Sequence, residues 1–135
     1  MTTGAASIAV ALETRLAAMT SPLATQWENA TYTPVSGTPY QAVNLLLAQP
    51  LNDERSSRYV DQGYMQVTLR YPVNTGKGAA LGQAQTLRDW FYRGLALAAG
   101  GVTVTITDAP EICPASIDGD RYAVPVKIRF RAVAT

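Results

Sequence analysis

From Tyr122 to Ala132 the chain alternates with a period of two. Tyr122, Val124, Val126, Ile128, Phe130 and Ala132 fall on one side, and Ala123, Pro125, Lys127, Arg129 and Arg131 on the other. A strand written this way buries one face and leaves the other to water. Two more segments repeat the pattern. Met65, Val67, Leu69 and Tyr71 oppose Tyr64, Gln66, Thr68 and Arg70, while Val102, Val104 and Ile106 oppose Thr103, Thr105 and Thr107. The chain therefore has to build a sheet that is covered on one side only.

The cover is helical. Ile8, Leu12, Leu16 and Met19 recur at helical spacing, and Pro22 marks a stop. Leu81, Ala84, Leu87, Phe91, Leu95 and Ala98 predict a second helix that runs to Gly100-Gly101, with Trp90 and Leu97 as a narrower stripe on its flank. Between the helices, 24–27 reads as a short extended piece, 29–39 as a loop and 40–48 as a buried strand. Pro125 lacks a ladder donor and points to an edge position or a bulge. These elements predict an α+β domain over residues 1–135. Its single, mostly antiparallel β-sheet carries two α-helices on one face, in the order α-β-β-β-α-β-β. The charged stretch at 50–58 reads as a mobile loop, and 108–120 as an irregular one.

Composition narrows the chemistry. The 135 residues carry 11 Lys+Arg against 10 Asp+Glu, so there is no global pull toward nucleic acid or anionic lipid. With no histidine and a single cysteine, Cys113, the chain lacks Ser-His and Cys-His pairs and the usual zinc ligand sets. No apolar run is long enough to span a bilayer. The carboxylates are scattered, and Asp118-Gly119-Asp120 reads as a turn rather than a calcium loop. Asn74 to Gly78 is glycine-rich before a helix, but it lacks the rest of a phosphate-binding loop. No catalytic residue, metal ligand or cofactor is expected, and the chain is not expected to be an enzyme.

Two features point to contacts instead. Seven tyrosines and two tryptophans against two phenylalanines give an amphipathic aromatic bias suited to interfaces. Lys127, Arg129 and Arg131, with Arg70 as a candidate fourth member, place cations on one side of one strand. Such a row is either a solvated face that discourages edge pairing or a surface for a polyanion or acidic partner. A small nucleic-acid-binding module using this strand is the alternative reading.

Several strings, in order, carry a family resemblance. They are Ala11-Leu12-Glu13-Thr14-Arg15-Leu16, Gln26-Trp27-Glu28-Asn29 with Tyr32-Thr33-Pro34, Pro39-Tyr40 entering a strand, and Gly63-Tyr64-Met65-Gln66-Val67 leading to Tyr71-Pro72 and Gly76-Lys77-Gly78. Val124-Pro125-Val126, running to Phe130-Arg131-Ala132, closes the set. From Ile8 to Ala132 the chain resembles the tail-terminator (tail-completion) proteins of long-tailed bacteriophages. The resemblance implies a virion protein made in the host cytoplasm, acting as a ring, usually six-fold, at the head-proximal end of the tail. Its implied partners are other copies of itself, the tail tube protein and a head-completion protein, with DNA only passing through the channel and no membrane. On that reading Trp90, Leu97, Tyr32 and Pro34 are candidates for the ring contact, which needs two unlike patches on each subunit. Asp53, Glu54, Arg55 and Arg58 would project along the axis. Arg70, Lys127, Arg129 and Arg131 would face the lumen or a partner.

Overall fold

The long C-terminal strand organises the molecule. The computed structural model describes residues 5–19, 23–27, 33, 37–48, 60–74 and 76–134. Along the chain these form α1 (Ala5–Ala17), β1 (Ala24–Gln26), β2 (Tyr40–Leu47), β3 (Asp61–Pro72), α2 (Gly78–Trp90), β4 (Ala96–Ala99), β5 (Val102–Ile106), β6 (Glu111–Ile112), β7 (Ser116–Asp118) and β8 (Arg121–Ala134). The sheet has eight strands in the order β1-β2-β3-β8-β5-β4, with β6 and β7 also on β8. Among the described strands only the β1/β2 pairing is parallel, so the sheet is mixed.

Register follows the hydrophobic pattern. Met65 stands opposite Ile128, Val67 opposite Val126 and Leu69 opposite Val124, all on the covered face. A slip of one residue would turn every one of them to water, so the pairing is strongly specified. Both helices lie on that face. α1 contributes Ile8, Leu12 and Leu16, and α2 contributes Ala80, Ala84 and Leu87, to one core shared with the strands. Burying a side chain of the Leu or Ile type stabilises by roughly 1.5–3 kcal/mol, so either helix is held mainly by this face. Gln41 is the polar intruder. Its Nε2 donates to Thr25 Oγ1 at 3.0 Å, tying β1 to β2.

Three expectations need correction. The second helix does not run to Gly100-Gly101. It ends at Trp90; Phe91 N–H still bonds to Leu87 C=O, and Gly94, with φ +93°, turns the chain back. Its buried line is Ala80, Ala84, Leu87 and Phe91, while Leu81 is 39% exposed. Ala96–Ala99 is a strand against β5, and Gly100-Gly101, both at positive φ (54° and 81°), form the two-residue hairpin turn. Leu97 therefore does not share a helix with Trp90.

The stretch at 108–120 is also more ordered than expected, because β6 and β7 both pair with β8. Pro125 is not on an edge strand, since β3 flanks β8 on one side and β6 and β7 on the other. The bulge expectation holds. Ile112 pairs with Val126 and Ser116 with Ala123, which leaves one extra residue on the β6–β7 side. Cys113 N–H donates to Pro125 C=O at 2.8 Å. A strand residue aims its N–H and C=O the same way, so the donor that proline lacks falls at this break.

Candidate functional site

The uncovered face of β3 and β8 brings the sequence-predicted cations together only in part. In register, Gln62 stands opposite Arg131, Tyr64 opposite Arg129, Gln66 opposite Lys127 and Arg70 opposite Ala123. Lys127, Arg129 and Arg131 form a row on one side of β8. Arg70 lies level with Ala123, six residues or about 20 Å along the strand from Arg129. It is outside the row and pairs with Asp118 at 2.8 Å.

Tyr64 is the centre of the row. Lys127 Nζ lies 5.1 Å and the Arg129 guanidinium 5.9 Å from the centre of its ring. Contacts of this kind contribute about 0.5–1 kcal/mol at exposed sites. Arg129 also donates to Glu111 Oε1 at 2.8 Å. That hydrogen bond, with the charge of Arg129 behind it, pulls the Glu111 carboxyl below its ordinary range and pushes Arg129 above its own. Lys127 and Arg131 have no ion pair among the described residues. At this end of the sheet an open cleft of about 330 Å³ is lined by Gln62, Tyr64, Thr107, Asp108, Arg129 and Arg131.

The opposite end of the same face is closed. Arg121 is only 5% exposed. It donates to Thr38 C=O and lies 5.0 Å from the ring centre of Tyr40. Neither Tyr64 nor Arg121 was singled out by sequence reasoning. Tyr64 sits on the polar side of an alternating strand, and that position was the available signal. Arg121 had none.

Trp90 and Leu97 occupy different elements on the covered side. Trp90 is engaged within the chain. Its indole Nε1 donates to Arg15 C=O at 2.7 Å, Arg15 Nη2 donates to Trp90 C=O at 2.8 Å, and the guanidinium stacks 3.8 Å from the ring centre. Leu97 lies with Val10, Ala11, Thr14, Arg15 and Ala18 along a mostly apolar groove of about 380 Å³ between α1 and β4. Tyr32, Pro34, Asp53, Glu54, Arg55 and Arg58 lie outside the described residues.

Among the described residues no group of three or more His, Cys, Asp or Glu is placed to hold a metal, and no helix is long and apolar enough to cross a membrane. A one-sided sheet with a cationic outer face, an apolar groove and open clefts defines a protein with docking surfaces. The chain belongs to the phage tail terminator family, whose model, described as phage tail terminator protein, matches residues 7–130. It is thus a structural component of a phage tail. A solved structure that is 20% identical has the same fold, with a TM-score of 0.74 over 96% of this chain and 93% of its own. No curated protein gives a significant match.

Proposed function

We propose that this chain is the subunit of a homohexameric ring that caps the head-proximal end of the tail tube, stops its polymerisation and offers the surface to which the head joins. Its role is structural, without catalysis. Family membership over nearly the whole chain carries the reading. Two further observations support it. A cyclic assembly needs two unlike complementary surfaces on each subunit, and the sheet ends in two unlike edges, β1 and β4. The polar face that the helices leave uncovered presents Lys127 and Arg131 without ion-pair partners among the described residues, which suits docking to an acidic surface of a neck protein.

The partners on this reading are other copies of the chain, the tail tube protein and the head-completion protein. Nucleic-acid binding by the same strand is disfavoured by its ion pairs, since Glu111 on Arg129 and Asp118 on Arg70 offset two of the four cations. Deleting the gene from its phage tests the proposal by electron microscopy of the particles. The expected outcome is over-long tails without heads, restored by the protein supplied in trans. Tails of normal length joined to heads would remove the reading.

A further inference from the structure

Among the described residues no strand pairs with the outer edge of β4. Exposed strand edges are ordinarily blunted with lysine, proline, a bulge or a covering segment. β4 reads Ala-Leu-Ala-Ala and has none of the first three. The hairpin pairs Ala99 with Val102, and Ile106 N–H donates to Leu95 C=O at 2.9 Å. By alternation Leu95, Leu97 and Ala99 turn their backbone groups inward to β5, while Ala96 and Ala98 turn theirs outward. Both of these alanines are exposed.

The covered side of this edge is mostly apolar, with Arg15 its one charged lining residue. The groove between α1 and β4 runs beside the row, and Val10 stands 56% exposed at its rim. A strand added here would place alternate side chains over that groove. The other end of the sheet supplies such a strand. β1 is uncharged, and on its covered side Leu23 and Trp27 flank Thr25, partly buried against the core. Counting along the sheet, one parallel and four antiparallel pairings lead from β1 to β4, so the two edges run in the same direction. Copies related by rotation about an axis along the strands would therefore meet β4 to β1 in parallel, with both covered faces on the same side.

We infer that the β4 edge of one copy of this chain receives the β1 edge of the next, so that the sheet runs on from subunit to subunit. Leu23 and Trp27 of the incoming edge lie over Val10, Leu97 and Ala99, and the outward backbone groups of Ala96 and Ala98 complete a ladder. This contact rests on the ring reading and says which surfaces close the ring.

The test uses the full chain with tail tubes from phage that lack it. Ala98→Lys puts a charge on the edge, and Ala98→Pro fixes φ there and removes an outward N–H that no strand among the described residues uses. Each is expected to keep the wild-type far-UV spectrum and melting temperature while weakening tube capping at least ten-fold. In a Cys113→Ser background, Ala98→Cys is combined with Ala24→Cys or with Gln26→Cys, all on the uncovered face. One combination is expected to oxidise on tube ends into a covalent ladder beyond the dimer, which the single variants cannot form. If wild type caps tubes but both Ala98 variants cap equally well and neither double variant ladders, the contact is overturned and the ring reading stands. If wild type does not cap, both fall.

Discussion

Arg15 and Trp90 show how much a single pair can do. Each sits in the last turn of a helix, where backbone carbonyls have no partner within the helix. Each side chain supplies the hydrogen bond that the other residue's carbonyl lacks, and the cation also lies where both helix dipoles favour positive charge. Trp90→Phe keeps an aromatic face for Arg15 but leaves the Arg15 carbonyl unpaired. It should cost about 1–2 kcal/mol in denaturant unfolding. A double-mutant cycle with Arg15→Ala should show a coupling of about 1 kcal/mol, and additive losses would mean that the two groups act separately. Asp61 gives a prediction of the opposite kind. Desolvation raises its pKa, so the folded state disfavours the charged form. The cost is absent below the ordinary Asp value and grows as pH rises through the raised one. Asp61→Asn, neutral throughout, should match wild type at low pH and become the more stable protein by a small margin toward neutrality, as read from melts across that range.

At the scale of elements, the alternating strands were legible because their faces are pure. Met65, Val67 and Leu69, with Val124 to Ala132, carry a two-residue period that only a one-sided sheet satisfies. The end of α2 and the start of β4 were not legible. Leu95 and Ala98 extend the helical stripe, and Ala-Leu-Ala-Ala is a strong helix-forming string. What overrides propensity is the hairpin: Gly94 breaks the helix, Gly100-Gly101 makes the turn, and β5 supplies the partner strand. Reading the glycine pair as a helix stop rather than a hairpin turn also put Leu97 on the wrong element, and with it half of one candidate contact. The ion pairs on the outer face were hidden for another reason. Glu111 meets Arg129 only because β6 pairs with β8, and no local pattern announces a two-residue strand. Gly63 shows where sheet geometry demands a residue type. A Cβ there would run into the backbone carbonyl of Leu46, which no rotamer change can relieve. Gly63→Ala should therefore destabilise by about 1–3 kcal/mol, the usual range for forced overpacking. Gly82→Ala, on an exposed helical position with open space around it, serves as the control and should be neutral or stabilising.

At the scale of the whole molecule, the near-zero net charge conceals a sorted surface. The covered side ends in uncharged edges and an apolar groove, whereas the uncovered side collects cations around Tyr64. Carboxylates from β6 and β7 pair with Arg129 and Arg70, while Lys127 and Arg131 have no ion pair among the described residues. Under physiological salt such charge acts over about 8 Å, so its effect is on a partner in contact and not on distant steering. If the uncovered face docks the neck while the edges close the ring, the two tasks should separate genetically. Lys127→Gln with Arg131→Gln gives up the contact of Lys127 with Tyr64 and should lower stability by no more than about 1 kcal/mol. Phage carrying this pair should make tails of normal length, because the edges that close the cap are untouched. Head joining should fall at least ten-fold, measured as free tails and free heads in sedimented lysates. Over-long tails from the same variant would instead assign the basic face to the tube or to a neighbouring subunit. Wild-type joining would leave these cations as a solvated guard against sheet-to-sheet association, and would move the search for the neck contact to another surface.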